Sequence, residues 1–199
     1  MQSPKSPTEY VVAPCDRDDI KDFVETHHYS KNINGVISDY CFSLTHGDAL
    51  VGAIIYGRMA MASQWKKYGK EVTDVIELRR LVCVDDTPKN TESYFISRTI
   101  KWLRDNTHIR VIVSYADPEY GHTGVVYRAS NFRLHGKSAA GKVILLGGKK
   151  YHDKTIRTTY KGKLKPFAER VKQALVDGVA VYKTTQGKNI YTYHVKRKR

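Results

Sequence analysis

Two side chains in the sequence have the types and spacing of a general acid and a general base. Asp117 follows the apolar run 110–115, and Tyr127 comes ten residues later, across a loop. Because ligands bind at the carboxyl ends of strands in open α/β sheets, both side chains can face one cleft. There Asp117 would take up a proton and Tyr127 would supply one. Two alternatives stay open: Asp117 as a cap before Pro118, and Tyr127 as a core tyrosine.

Two arginines lie next to each other in a long predicted strand, 75–84. Strict alternation places Arg80 on the same face as Ile76 and Leu78, and Arg79 on the opposite face. An arginine on an apolar face must pair or reach a ligand, because an unpaired buried charge is costly. We expect Arg80 to bind an anionic donor or a phosphate, with a structural salt bridge as the alternative.

A glycine-free stretch, 85–93, precedes the next predicted helix. It begins with Asp85 and Asp86, and Asn90 or Thr91 is expected to cap the helix. Ser93 falls in the first turn, where unpaired backbone N–H groups are found. Its hydroxyl is therefore a candidate donor-binding group or nucleophile.

Histidines and cysteines offer little sign of a metal site. His27, His28, Asp117 and His122 include no pair at a tight ligand spacing, so we expect no metal. The three cysteines are far apart, which excludes a CxxC knuckle and a paired disulfide framework. His28 and Tyr29, at the end of a predicted helix, are instead candidates for lining or stacking on a ligand. A histidine favoured by the helix dipole is the alternative for His28.

An α/β framework must position these residues. Hydrophobic periodicity predicts strands at 9–13, 39–45, 49–56, 75–84, 110–115, 132–135, 143–146, 179–182 and 190–194. It predicts helices at 17–27, about 123–130 and 166–176, the first of them capped by Asp16. A further helix is predicted after 88–91 and runs to about Asn106. No linker divides the chain, so we expect a core at 1–148 and a C-terminal elaboration at 149–199 packed on the same domain.

The charge is concentrated in that elaboration. Of the net +14, residues 149–199 hold +12, from 15 Lys and Arg against 3 Asp and Glu. A near-neutral body with a cationic end favours a polyanion, and nucleic acid first. We expect contacts from Arg79 and from five lysines: Lys149, Lys150, Lys161, Lys163 and Lys165. A solvated tail or an anionic membrane surface is the alternative.

The length of 199 residues suffices for a core without metal or disulfide staples. No run approaches the roughly 18 apolar residues of a membrane span, so we expect no membrane partner. The first residues lack the apolar segment of a signal peptide, so we expect no leader.

The order of predicted elements resembles the GNAT acyltransferase fold, and Tyr127–Phe132 resembles its closing helix-to-strand segment with Asn131 in place of glycine. A more specific resemblance, over about residues 25–136, is to the Mom family of phage DNA-modification proteins. Six ordered segments carry it: His28–Ser30, Glu77–Leu81, Asn90 with Ser93, Ser114–Asp117, Gly121–Gly124 and Tyr127–Phe132.

The resemblance implies a GNAT-like mixed sheet flanked by helices. It also implies an enzyme of the host cytoplasm that alters the N6 amine of adenine in double-stranded DNA, so that restriction enzymes cannot cut. Its catalytic residues would be Arg80, Ser93, Asp117 and Tyr127. Its substrate-binding residues would be His28, Tyr29, Asn90, Tyr115 and His122.

The donor is a separate question. An ordinary GNAT protein has glycines before this helix, which let backbone N–H groups close on the CoA pyrophosphate. Here Asp85 and Asp86 would repel it. The family product, N6-carbamoylmethyl adenine, is an isomer of N6-glycyl adenine, so we favour glycyl-tRNA over acetyl-CoA and expect tRNA as a further partner.

Two other functions stay open: a conventional N-acetyltransferase of a protein or small amine, and a DNA-binding protein without catalysis. The sequence does not indicate the oligomeric state.

Overall fold

The structure is a computed structural model, and it describes residues 4–196. Residues 1–3, within the stretch expected to lack a leader, and residues 197–199, at the end of the basic region, lie outside that range. The chain divides into two compact units. The first comprises residues 1–116, 123–136 and 189–199, and the second comprises residues 117–122 and 137–188.

Ten strands and four helices are described, besides short 3₁₀ helices. The strands are β1 (Val11–Cys15), β2 (Tyr40–His46), β3 (Ala49–Gly57), β4 (Val75–Cys83), β5 (Val111–Ala116), β6 (Arg133–Lys137), β7 (Gly141–Leu146), β8 (Lys149–His152), β9 (Val181–Thr185) and β10 (Asn189–His194). The helices are α1 (Arg17–His27), α2 (Thr91–Asn106), α3 (Val125–Ala129) and α4 (Pro166–Val176). No helix within residues 4–196 has the length and apolar character needed to cross a membrane.

The main sheet has seven strands in the order β1-β2-β3-β4-β5-β10-β6. Its β4 and β5 pair in parallel, while β1 with β2, β2 with β3, β3 with β4, and β5 with β10 pair antiparallel. The prediction of a mixed α/β fold is confirmed.

Helices cover both faces of this sheet. Because side chains alternate along a strand, Ile54 and Ile55 of β3 point to opposite faces. Ile54 belongs to the main core with Phe95 of α2, against which α3 also packs. Ile55 belongs to a second core with Ile20 and Val24 of α1. The sheet therefore has an α2/α3 side and an α1 side.

The second unit has its own small core. Its strands follow the order β8-β7-β9, and Ile144 of β7 packs with Val171 of α4 and with Ala180. All three side chains are buried.

The division of the chain differs from the predicted boundary at residue 148. The second unit starts at residue 137, and residues 117–122 also belong to it. The end of the chain belongs to the first unit, because β10 pairs with β5 from Asn189 opposite Ala116 to His194 opposite Val111. The sequence pattern of β10 predicted a strand but carried no information about its partner.

Most predicted elements are confirmed within a few residues. Helices α1 and α4 have the predicted bounds, and α2 ends at Asn106 as predicted but already includes Thr91. The first strand starts two residues later than predicted, because Ser6 and Glu9 form a capping box around a 3₁₀ helix. Helix α3 is shorter, since Gly124 before it has a left-handed φ of 81°. Strand β8 was not predicted.

Candidate active site

The parallel strands β4 and β5 separate at their carboxyl ends. Their pairing runs from Val75 opposite Val111 to Leu78 opposite Ser114 and goes no further. Beyond that point β4 continues beside β3 to Cys83, while β5 continues beside β10. An opening between the carboxyl ends of strands is where ligands bind in open α/β sheets.

A β-bulge at this opening changes the predicted faces of β4. Ile55 pairs with Arg80 and Tyr56 pairs with Leu78, so Arg79 is the extra residue. After the bulge Leu81 packs against the α2/α3 side. The prediction that Arg80 shares a face with Ile76 and Leu78 is therefore wrong, because strict alternation does not survive an inserted residue. Arg80 turns to the α1 side.

Both arginines are held in a largely buried polar cluster. Arg79 Nη1 lies 3.2 Å from Glu77 Oε2 and donates to the Arg58 carbonyl oxygen at 3.0 Å. The Arg79 side chain is only 13% exposed, and its expected contact with nucleic acid stays a prediction. Arg80 Nη2 donates to the Asn32 carbonyl oxygen at 3.4 Å. Burial lowers the pKa of Arg80.

The Nε atoms of Arg79 and Arg80 are buried and have no hydrogen-bond partner among the described residues. Leaving a buried donor unpaired costs on the order of 1–3 kcal/mol, and more when the group is charged. The two guanidinium groups therefore suit an incoming acceptor or anion.

The end of α1 contributes His28 and Tyr29 to the same side. The His28 ring is buried, and its Nδ1 lies 2.8 Å from the Ser30 hydroxyl and accepts from the Ser30 amide. The Tyr29 ring lies 4.2 Å from that of His28 and remains 46% exposed. Tyr29 also acts electrostatically on Arg80 and on Tyr127. Four predicted site residues are therefore neighbours in the structure: His28, Tyr29, Arg80 and Tyr127.

Tyr127 reaches the opening from the α2/α3 side. It packs against the main core, with Ser114 within hydrogen-bonding reach. Ser114 is fully buried and donates to the Leu78 carbonyl oxygen at 3.2 Å, at the last paired position of β4 and β5. Burial raises the pKa of Tyr127, with Tyr29 and Glu77 acting in the same direction. The hydroxyl therefore stays protonated at neutral pH and can donate a proton.

Helix α3 is fixed by a small network around Tyr191 of β10. The Tyr191 hydroxyl donates to the Thr123 carbonyl oxygen at 2.8 Å and accepts from Arg128 Nη1 at 2.9 Å. Its ring lies against Gly124, where any Cβ would collide with it. A glycine is required at this position for space as well as for its φ.

Tyr115 anchors a neighbouring segment. Its hydroxyl accepts from Gln64 Nε2 at 2.6 Å and is hydrogen-bonded to Tyr68. Burial raises the pKa of Tyr115, so this hydroxyl also stays protonated. Its predicted contact with substrate stays a prediction.

Asp117 and His122 belong to the second unit. Asp117 caps the 3₁₀ helix Pro118–Tyr120 by accepting from the Glu119 amide at 3.1 Å, which is the alternative that the sequence left open. Its other oxygen lies 3.1 Å from Lys188 Nζ. His122 is exposed, and its amide donates to the Asp117 carbonyl oxygen. A role for either in catalysis stays a prediction.

Asn90 and Ser93 line a cavity of about 390 Å³ at the start of α2. Asn90 takes a left-handed φ of 71° before the helix, and the Ser93 hydroxyl donates to its carbonyl oxygen at 3.0 Å. Tyr94, Ser97, Asn131 and Tyr193 also line the cavity. Helices α2 and α3 cover the same side of the sheet, so this cavity and Tyr127 lie on one side.

The turn before α2 carries two carboxylates. Asp85 and Asp86 are exposed, and the Thr91 amide already donates to the Pro88 carbonyl oxygen. The expected poor fit to a CoA pyrophosphate, which binds to backbone N–H groups, stays a prediction.

The second unit presents the predicted basic residues. Lys161 and Gly162, with φ of 52° and 77°, form a tight turn closed by two backbone hydrogen bonds between Tyr160 and Lys163. This turn exposes Tyr160 (66%) beside Lys161 and Lys163, and Lys165 directly precedes α4.

Two other predicted lysines lie in β8. Lys149 is exposed. Lys150 lies 3.8 Å from Glu119 and 5.3 Å above the Tyr120 ring, so part of its charge is already paired.

Other reactive groups do not form a site. Within residues 4–196, no three His, Cys, Asp or Glu side chains are grouped to hold a metal ion. Burial raises the pKa of Cys15 to about 12, of Cys41 to about 11 and of Cys83 to about 12. The thiolate nucleophile is therefore scarce at all three positions.

The sequence reasoning missed Glu77, Ser114 as a site residue, and Gln64. Glu77 offered a signal, because a carboxylate two residues from an arginine in a buried strand needs a partner. Gln64 offered none, since its contact with Tyr115 crosses 51 positions of sequence.

Comparison with known proteins shows the family to which the chain belongs. The model of the Mom protein family matches residues 9–199. The chain is 32% identical over 144 residues to the methylcarbamoylase mom of Escherichia phage Mu, which covers 70% of this chain. The chain spans about 58% of the length of that relative.

Solved structures show the fold. Arabidopsis thaliana NAA60 in complex with acetyl-CoA superposes with a TM-score of 0.55 at 10% identity, covering 94% of this chain and 98% of its own. A GNAT-family protein from Desulfovibrio desulfuricans gives a TM-score of 0.52 at 10% identity, covering 94% and 99%.

Proposed function

Because this chain belongs to the Mom protein family, we propose that it is a transferase that modifies the N6 amine of adenine in double-stranded DNA. The modification would protect phage DNA from restriction inside the host cell. One observation carries the proposal: the opening between β4 and β5 joins a buried polar cluster on the α1 side to Tyr127 on the α2/α3 side. The methylcarbamoylase name of the Mu relative supports group transfer.

A transferase must bring two substrates together at one point. The cavity beside Asn90 and Ser93 lies on the α2/α3 side with Tyr127, so this side would bind the donor. Tyr29, Glu77 and the arginines surround the opening on the α1 side, so that side would bind the acceptor base.

The acceptor must leave the duplex to reach this opening. Adenine N6 is inside the base stack, and extruding the nucleotide costs a few kcal/mol. The half-exposed ring of Tyr29, whose centroid lies 4.2 Å from that of His28, would offset part of that cost by stacking on the base.

The first chemical step would be acyl transfer. The adenine N6 attacks the donor carbonyl, the N6–C bond forms, and the ester C–O bond of the donor breaks. The proton from N6 passes to a carboxylate acting as the general base, and Tyr127 protonates the departing oxygen. With a glycyl donor, attack of the free amine on C6 and cleavage of the C6–N6 bond would then give the isomeric carbamoylmethyl adenine.

We propose glycyl-tRNA as the donor in preference to acetyl-CoA. The glycine-free turn and its two aspartates support this choice. Acetyl-CoA is bound by the structural neighbour NAA60, a protein 10% identical to this chain. Tests of both donors therefore belong in the same experiment.

The second unit would hold the DNA backbone. Residues 149–199 carry a net charge of +12, and the Tyr160–Lys163 turn projects cations and an exposed aromatic ring. Phosphate contacts position a duplex without reading its sequence.

Nucleoside mass spectrometry of plasmid DNA co-expressed with the protein tests the function. We expect a modified deoxyadenosine with the wild type and a loss of at least about 100-fold with Arg80→Ala, the size expected when one donor to a developing negative charge is removed. DNA that is bound but unmodified would support the non-catalytic alternative. An acetylated amine with unmodified DNA would support a conventional acetyltransferase.

A further inference from the structure

One buried charged pair takes no part in the proton transfers described above. The Glu77 and Arg79 side chains are 14% and 13% exposed and are joined at 3.2 Å. Arg79 is also tied to the Arg58 carbonyl oxygen, and its Nε is buried with no partner among the described residues. A pair of this kind gives little net stability, because desolvation offsets its attraction, so its position invites a functional explanation.

The position is at the acceptor side of the opening. Glu77 pairs with Val113, one residue before β4 and β5 separate. It acts electrostatically on Tyr127, on Tyr115 and on Arg80, which surround the opening. Arg79 is the bulged residue, and its guanidinium group contacts this carboxylate.

We propose that Glu77 and Arg79 form the subsite that recognises the exocyclic amine edge of the extruded base, an inference that rests on the proposed function. Glu77 would accept a hydrogen bond from the N–H of the amine. The arginine beside it would donate to the neighbouring ring nitrogen. A carboxylate has about four sites that can accept a hydrogen bond, so one carboxylate can serve an arginine and an amine together.

This arrangement selects bases by their hydrogen-bonding pattern. Adenine presents a donor at N6 next to an acceptor at N1, which matches a carboxylate next to an arginine. Hypoxanthine has an oxygen at C6 and a proton on N1, so it presents the opposite pattern to the same two side chains. One such pair of contacts discriminates between bases by about 5- to 150-fold.

The test is binding in the absence of any donor. Duplexes carry one adenine or one hypoxanthine opposite an abasic site, so that neither base has a pairing partner. Fluorescence anisotropy gives the Kd of each duplex. We expect the wild type to prefer adenine by at least about fivefold. We expect Glu77→Gln to bring the two Kd values within about twofold, because an amide can donate as well as accept.

Glu169→Gln is the matched control. It removes the same charge from an exposed position on α4, so both Kd values should change together and their ratio should stay that of the wild type. If Glu77→Gln does not fold, Glu77→Asp replaces it in the test. This variant keeps the negative charge near Arg79, but its shorter side chain places the carboxylate one methylene further from the base. We expect that variant to lower the ratio at least about threefold.

A folded Glu77→Gln or Glu77→Asp with the wild-type ratio would overturn the subsite. So would a wild type that modifies adenine but binds both duplexes equally, which leaves the proposed function standing. A wild type that binds neither duplex and modifies no DNA would overturn both.

Discussion

Replacing Tyr127 with Phe removes one hydroxyl from the opening between β4 and β5 and keeps the ring. The ring contacts with Phe132 (5.6 Å) and Tyr191 (5.5 Å) remain. One hydrogen bond contributes about 1 kcal/mol to the free energy of unfolding. A general acid contributes about 10²- to 10⁴-fold to the rate, which is about 3–5 kcal/mol of barrier. A purely structural role for the Tyr127 hydroxyl would therefore lower mainly the free energy of unfolding. A role as general acid would lower mainly the modification rate.

Tyr56→Phe is the matched control. Tyr56 is fully buried in the same core, and its hydroxyl lies 2.7 Å from that of Thr99 on α2. We expect this variant to lose about 1 kcal/mol of stability and to modify DNA normally. Tyr127→Phe should lose a similar amount of stability and at least about 100-fold in modification.

Urea unfolding measures the stability of both variants, and nucleoside mass spectrometry measures modified deoxyadenosine at equal protein levels. If Tyr127→Phe and Tyr56→Phe modify DNA equally well, Tyr127 is a core tyrosine and the assignment of the acid is refuted.

Three further predictions concern the DNA surface, the anchoring of α3 and the pH dependence. Changing Lys161, Lys163 and Lys165 to Gln should weaken DNA binding for all sequences and reduce the salt slope by up to about 3, and an unchanged slope would exclude this surface. Gly124→Ala should cost about 2 kcal/mol or more in urea unfolding, because φ is 81° and the new Cβ meets the Tyr191 ring. Gly35→Ala, at φ 72° with open space around it, should cost only about 1–2 kcal/mol, so equal losses would contradict the steric argument. Because the pKa of Tyr127 is raised, its acid form persists, and the modification rate should not fall between about pH 7 and pH 9 through this group. A decline that Tyr127→Phe abolishes would contradict this.

Local pattern predicted much of the fold. The apolar spacing of Phe95, Ile96 and Ile100 placed α2 correctly, and the Asp16 cap placed the start of α1. The other features of the fold depend on contacts between residues far apart in sequence, which a local pattern does not show. Nothing in Asn189–His194 shows that β10 pairs with β5, and that pairing returns the end of the chain to the first unit.

The site was predictable in its residue types more than in its geometry. Arg80 and Tyr127 were identified, and the structure brings both to the opening. The bulge at Arg79 was not predicted, because a bulge depends on the partner strand as well as on the bulged strand. The same bulge explains why Glu77 was missed: alternation alone put it on a different face from Arg80.

We propose that this chain transfers an acyl group to adenine in DNA. A reconstituted reaction with purified protein, duplex DNA and glycyl-tRNA carrying isotopically labelled glycine tests this transfer, with acetyl-CoA in a parallel reaction. We expect labelled deoxyadenosine, heavier by one glycyl unit, from the tRNA reaction and no modified deoxyadenosine from the acetyl-CoA reaction. Unlabelled deoxyadenosine from the tRNA reaction, with an acetylated product from acetyl-CoA, would refute the proposed transfer.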